Sequence, residues 1–205
     1  MIKWIFFDVG STLIDETKAY EHRARDMIVN TNITLEEFDA ARIFLARQGF
    51  DGNSAAIKYF GLRKTPWHSE DEFPYPDSYN TLQMLLNYGY KLGIIANQNP
   101  GLIKRLNQWE LLQFFDVIVS SSEIGYAKPE KEMFEKALEL AKCNAAECVM
   151  VGDRLDNDII PAKEIGMKTV WIKNGLAQYQ NIELGYGVAD YQIQSLSELL
   201  IHFAK

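Results

Sequence analysis

Five side chains able to do chemistry stand at intervals along a chain of 205 residues: Asp8, Asn97, Lys128, Asp153 and Asp158. Asp8 follows a short apolar run and leads into Gly10, Ser11 and Thr12, a turn with almost no side chains. Asp153 and Asp158 lie in the acidic stretch GDRLDND, and Lys128 precedes Pro129. Each alone has an ordinary explanation: a turn or cap aspartate, a solvated Asx turn, a solvated lysine. Together they imply more. Three carboxylates at one place repel one another unless cations neutralise them. Lys128 supplies one positive charge, and a hard, oxygen-seeking ion such as Mg²⁺ would supply the rest.

The elements that must position these groups follow from hydrophobic periodicity. Ile2 to Phe7, KLGIIA, FDVIVSS, ECVMVGD and KTVWIK read as buried strands. Between them the spacing predicts amphipathic helices. Leu82, Leu85 and Leu86 form one stripe, closed by Gly89. Met133, Phe134, Ala137, Leu138 and Ala141 form another, opened by Pro129. Further helices are expected after Asn99-Pro100, over Asp158 to Ile165 before Gly166, and over Leu196 to Phe203 with Ser195 and Glu198 as caps. Strands alternating with helices predict an α/β, Rossmann-like parallel sheet with helices on both faces. Ligands bind such sheets at the carboxyl ends of the strands, where Asp8, Asn97, Asp153 and the acidic loop fall.

From about residue 16 to 72 the texture is different: charged, without β-branched runs, and helically spaced. This predicts an all-helical insert, residues 16–75, in a core formed by 1–15 and 76–205. The run HSEDEFPYPD ends it, and hinges are expected near Asp15 and Pro74 to Asp77. Candidate pocket residues in the insert are Tyr20, Phe44, Phe50, Tyr59 and Trp67, for each of which ordinary packing is the better explanation. His22, His68 and His202 fall beside no motif and carry no role.

The composition bounds the rest. The chain is 47% hydrophobic and 24% charged, with a net charge of −7. An acidic chain without clustered Lys and Arg is a poor nucleic-acid binder. No apolar run approaches the ~20 residues that cross a bilayer, and a signal peptide is not expected. Cys143 and Cys148 read as core thiols in a reducing compartment, so a cytoplasmic location is expected. Asn32-Ile33-Thr34 matches a glycosylation sequon, but Thr34 with Glu37 reads better as a helix capping box.

In order and spacing, FDVGSTLID, IIAN, YAKPEKEMF and VGDRLDND resemble the four motifs of the haloacid dehalogenase-like hydrolase superfamily. The resemblance covers nearly the whole chain, and the insert looks like that family's small cap, placed after the first motif. It implies Mg²⁺-dependent hydrolysis of a small phosphorylated metabolite through an aspartyl-phosphate on Asp8. The ion would be held by the Asp8 carboxylate, the Gly10 carbonyl and Asp153, with Asp158 acting through water or as an orienting partner. Lys128 would neutralise the nucleophile and the phosphoryl oxygens, and phosphate contacts would come from Ser11, Thr12, Asn97 and Lys128. Two departures stand out. The phosphatase pattern has a second Asp, a general acid and base, where this chain has Gly10, and a Ser or Thr where it has Ala96. General acid–base catalysis is worth roughly 10²- to 10⁴-fold, so the expectation is a slow phosphatase biased toward activated phosphates. The departures also admit a protein that only binds a phosphorylated ligand or partner. A metal-free dehalogenase is less favoured, as is a phosphonate hydrolase using Lys18, Lys58 or Lys64.

Overall fold

A six-stranded, wholly parallel sheet in the order β5-β4-β1-β6-β7-β8 carries the molecule. The computed structural model describes residues 1–180 and 189–204. The strands are β1 (Trp4–Phe7), β4 (Lys91–Ala96), β5 (Val117–Ser120), β6 (Cys148–Gly152), β7 (Lys168–Ile172) and β8 (Tyr191–Ile193). β1 alternates with period two. Ile5 and Phe7 enter one core and Trp4 and Phe6 the other, so both faces of the sheet are covered. The first core is closed by α4 (Ser78–Asn87), α5 (Leu102–Gln108) and α9 (Leu199–Phe203). The second is closed by α7 (Lys131–Ala141) through Met133, Phe134 and Ala137, and by α8 (Ile160–Glu164) through Ala162.

Helices α1 (Thr17–Ile28), α2 (Leu35–Arg47) and α3 (Gly52–Tyr59) form the insert. They share a small core of Ala24, Phe38 and Ala56, and the Thr34–Glu37 capping box starts α2. Where the chain leaves and rejoins the sheet domain, β2 (Ile14–Asp15) pairs antiparallel with β3 (Phe73–Pro74). This short ribbon lies where hinges are expected. Pro74, which has no N–H to donate, fits because each strand of a two-stranded ribbon has one edge free of ladder bonds.

Some expected boundaries move. α5 starts at Leu102, not in the turn after Pro100, because Gly101 at φ +89° cannot be helical and serves as N-cap. The helix expected over 158–165 is present as α8, Ile160–Glu164, and one wide π-type turn, Leu155–Ile159, runs into it. β8 and the short helix α6 (Ser121–Ile124) are additional. Cys143 and Cys148 are free thiols.

Gly93 lets β4 lie against β1. A Cβ there would stand 2.5 Å from the Phe6 ring and 3.1 Å from the Val117 carbonyl oxygen. Neither the strand backbone nor a fully buried ring can yield, so Gly93→Ala is expected to destabilise by about 1–3 kcal/mol. The midpoint of thermal or urea unfolding measures this, and an unchanged midpoint would contradict the packing described.

Candidate active site

Three strand ends converge on one cleft of about 140 Å³, lined among others by Asp8, Gly10, Ser11, Lys128, Asp153 and Asp158. Asp8 follows the central strand β1, and its amide donates to the Val151 carbonyl at 2.9 Å, which ties it to β6. Lys128 is buried at the heart of the cleft. Its Nζ lies 2.6 Å from Asp8 Oδ1 and 2.6 Å from Asp158 Oδ1. Burial works against its charge, but Asp158 and Asp8 outweigh it and hold the ammonium above its ordinary range. The main chain of Lys128 is fixed as well. Asn97 Oδ1 accepts from its N–H at 2.7 Å, and Asn97 Nδ2 donates to its carbonyl at 2.8 Å.

The loop after β6 is braced from behind. Trp171 Nε1 donates to the Asp153 carbonyl at 2.6 Å, and Gln180 Oε1 accepts from the Leu155 amide at 2.8 Å. The π-type turn swings Asp158 back over Gly152, where a Cβ would meet the Asp158 Cγ at 2.4 Å; only glycine permits that approach. Asp158 Oδ2 also accepts from the Arg154 amide at 3.0 Å, so both its oxygens are engaged. Arg154 spans to the insert, pairing with Asp156 at 2.5 Å and with Asp51, the N-cap of α3, at 3.2 Å.

The carboxylates of Asp8, Asp153 and Asp158 each bring an oxygen within 4.8 Å of the others. Among the described residues the Asp153 side chain has no hydrogen-bond or ion-pair partner, although the residue is only 6% exposed. Burial, then the charges of Asp158 and Asp8, drive its pKa well above the carboxylate range. An uncompensated buried carboxylate between two others fits a hard divalent cation. Asp8 Oδ2 likewise has no partner among the described residues. Asp8 and Asp153 thus have carboxylate oxygens to offer an ion and Gly10 lines the same cleft, whereas Asp158 is committed to Lys128 and the loop.

The remaining expected site residues separate. Ser11, at φ +54°, lines the cleft. Thr12 is fully buried, does not line it, and has a hydroxyl with no partner among the described residues. Asn97 borders the cleft, but both ends of its amide are spent on Lys128. Ala96 is buried and contributes no side chain to the cleft. Of the aromatic candidates, Tyr20 and Trp67 pack edge to face at 4.8 Å beside the site. Phe50 borders a small side cavity, and Phe44 and Tyr59 lie in a groove of the insert away from it. His22 and His68 stack at 3.5 Å and pair with Asp71 and Asp26 respectively, fastening the 68–71 segment to α1.

Glu16, the N-cap residue of α1, was not expected. Its carboxyl lies against Gly10: a Cβ on Gly10 would stand 2.6–2.7 Å from its Oε2, Cδ and Oε1. The position left without a second carboxyl in the sequence is therefore filled from six residues further on. Burial, reinforced by the charges of Asp8 and Glu72, pushes the Glu16 pKa up to about 8. The sequence signal is a side chain missing at residue 10 together with an acid at the start of the insert.

A doubly wound parallel sheet, with a lysine-bridged carboxylate cluster at its strand ends and a helical insert after the first, defines the class. The chain belongs to the haloacid dehalogenase-like hydrolase family, whose model matches residues 5–172. It is 34% identical to a glyceraldehyde 3-phosphate phosphatase of Pyrococcus furiosus, over 97% of this chain and 92% of that one. It is also 34% identical to the protein of that name from Methanocaldococcus jannaschii, over 98% and 96%. Among solved structures, a HAD phosphatase from Thermococcus onnurineus aligns over 99% of this chain and 98% of its own, with TM-score 0.68 and 29% identity.

Removing the ammonium leaves Asp8 and Asp158 facing each other unscreened, and breaking a buried pair in this way costs about 3–5 kcal/mol. Lys128→Met is expected to lower unfolding stability by that amount in metal-free buffer, read by denaturant titration. A loss below about 1 kcal/mol would mean that the carboxylates are not held against their repulsion by Lys128.

Proposed function

We propose that the protein is a Mg²⁺-dependent phosphatase of small phosphorylated metabolites that works through Asp8. The observation that carries this reading is Lys128 Nζ at 2.6 Å from both Asp8 and Asp158, with Asp153, unpartnered among the described residues, beside them. The relatives named as phosphatases across nearly the full chain support the same reaction, and the glyceraldehyde 3-phosphate in two of their names indicates the scale of substrate. Asp8, Asp153 and the Gly10 carbonyl would hold Mg²⁺, with Asp158 orienting the site through Lys128. Bound there, the ion would offset negative charge on the phosphoryl oxygens.

The chain's own groups do the rest. One carboxylate oxygen of Asp8 attacks phosphorus in line with the leaving oxygen, so that an oxygen–phosphorus bond forms as the ester P–O bond breaks. Lys128 stays protonated, keeps the nucleophile in place and turns its remaining N–H toward a phosphoryl oxygen. The leaving oxygen takes the proton of Glu16. In the second half Glu16, now a carboxylate, removes a proton from the water that attacks the same phosphorus, releasing inorganic phosphate and restoring Asp8. Core residues 1–15 and 76–205 supply the nucleophile, while the insert, residues 16–75, covers the cleft and excludes bulk water. Reduced thiols and the acidic net charge go with a cytoplasmic setting and with no nucleic-acid partner.

A phosphatase assay with Mg²⁺ tests the assignment. Asp8→Asn is expected to abolish turnover, and equal negligible rates in wild type and variant would favour a protein that only binds phosphorylated ligands. Glu16→Gln is expected to slow alkyl phosphates by roughly 10²- to 10⁴-fold. The effect on p-nitrophenyl phosphate should be much smaller, since its leaving phenolate needs no proton. An equal loss on both esters would reduce Glu16 to a structural role.

A further inference from the structure

The two ends of the insert meet at a cluster that the chemistry at Asp8 does not use. α1 brings His22 and Asp26, and the 68–71 segment brings His68, Glu70 and Asp71. None of the five lines the cleft around Asp8. A ring nitrogen of His22, a ring nitrogen of His68 and a carboxylate oxygen of Glu70 all lie within 4.8 Å of one another. Two imidazoles and a carboxylate are a donor set that Zn²⁺ and similar transition-metal ions take, whereas Mg²⁺ prefers oxygen alone.

The hydrogen bonds show which nitrogens are at issue. His22 Nδ1 lies 2.8 Å from Asp71 Oδ2. A carboxylate only accepts, so Nδ1 carries the proton. Nε2 keeps the lone pair and has no partner among the described residues. His68 Nε2 donates to Asp26 Oδ2 at 2.7 Å, and its Nδ1 faces Glu70 Oε1 at 3.1 Å. Ligating histidines are held in this manner, with one ring nitrogen toward the metal and the other donating to a carboxylate. Asp71 and Asp26 already occupy both outer places. The 3.1 Å between His68 Nδ1 and Glu70 Oε1 is also close to the spacing of two ligands on one zinc. Bonds of ~2.0–2.1 Å in a tetrahedron set that spacing at about 3.3 Å.

Charge points the same way. With a carboxylate at each nitrogen His68 donates twice and is an imidazolium, one positive charge against the three carboxylates of Asp26, Glu70 and Asp71. A divalent ion in place of the Nδ1 proton, which leaves to solvent, offsets more of that negative charge. The two rings stack with centroids 3.5 Å apart and 9° between their planes. An ion in the plane of His68 lies outside the plane of His22, so His22 has to tilt toward it. Its side chain is 47% exposed, which leaves it room to do so.

We propose that His22, His68 and Glu70 bind Zn²⁺ or a chemically similar transition-metal ion, with Asp71 and Asp26 orienting the two imidazoles. Water completes the coordination. The ion ties the first helix of the insert to the segment that ends it, so its effect is to stabilise the folded insert rather than to take part in the reaction at Asp8.

Calorimetric titration of the full chain with Zn²⁺ at neutral pH, in excess Mg²⁺, tests this. The carboxylates at Asp8 are a second place where Zn²⁺ can sit, so Asp153→Asn is titrated beside the wild type. Asp153→Asn is expected to bind one Zn²⁺ per chain in the micromolar range. Adding His22→Gln or His68→Gln should weaken that binding about tenfold or more, and Asp71→Asn should weaken it by a similar factor. The thermal unfolding midpoint should rise with Zn²⁺ in Asp153→Asn and lose that dependence once His22→Gln is added. In the wild type, Zn²⁺ binding that survives saturating Mg²⁺ and falls in His22→Gln gives the same answer should Asp153→Asn not fold. Binding that disappears in Asp153→Asn and ignores both histidines places the ion at the catalytic carboxylates and overturns the inference. So does the absence of saturable micromolar binding. Neither result touches the reading of Asp8 as a phosphatase nucleophile.

Discussion

The Lys128 ammonium, held between Asp8 and Asp158, is the interaction on which the rest of the site depends. Opposite charges close together in a low-dielectric interior attract strongly, and like charges repel as strongly. Three carboxylates at one rim of a sheet are tolerable only because of what lies between them. Much of the surrounding structure then has a single purpose. The Asn97 amide clasps both main-chain groups of Lys128, so the lysine stem rises from a fixed point. Gly152 is bare so that Asp158 can close over it, and the π-type turn brings that aspartate back. Trp171 and Gln180 hold the loop through its main chain, at the Asp153 carbonyl and the Leu155 amide.

Lys128 balances only part of the negative charge. Asp153 remains unpartnered among the described residues, with its proton affinity raised by burial and by its neighbours. A protein that needed this cluster for stability alone would gain from replacing Asp153 with a neutral residue, since an unpaired buried charge only costs. Its presence beside the free oxygen of Asp8 makes sense when a cation and an anionic substrate complete the neutralisation.

Much of this was legible in the sequence because the carboxyl ends of apolar strands can be found by periodicity, and Asp8, Lys128, Asp153 and Asp158 sit beside such strands or their helices. The insert and the Thr34–Glu37 cap were legible for the same local reason. What could not be read depends on distance. Asn97 has the chemistry of a phosphate ligand, but its partner is a main chain 31 residues away. Thr12 looks like a member of a phosphate-binding turn, yet the coil around the Val9 carbonyl, which accepts from Leu13 and Ile14, turns it inward. β8 is three residues at the sheet edge, too short for alternation to declare itself. Tyr20 and Trp67 were distinguishable from Phe44 and Tyr59 only by which face of the insert meets the core.

Glu16 shows how a local deficit can be a displaced solution. A residue at position 10 would carry its carboxyl on the sheet domain, on the same rigid loop as the nucleophile. Glu16 instead caps α1, directly after the β2–β3 ribbon that joins insert to core. Its carboxyl therefore belongs to the element that roofs the site, and any displacement of α1 moves it relative to Asp8. Gly10 is the complement of this arrangement, because even a methyl group there would occupy the space of the Glu16 carboxylate. The two residues form one unit, and the presence of either explains the other. On the proposed reading of Glu16 as proton donor, the donor is carried by the insert and not by the loop of the nucleophile, so a shift of α1 would separate the two.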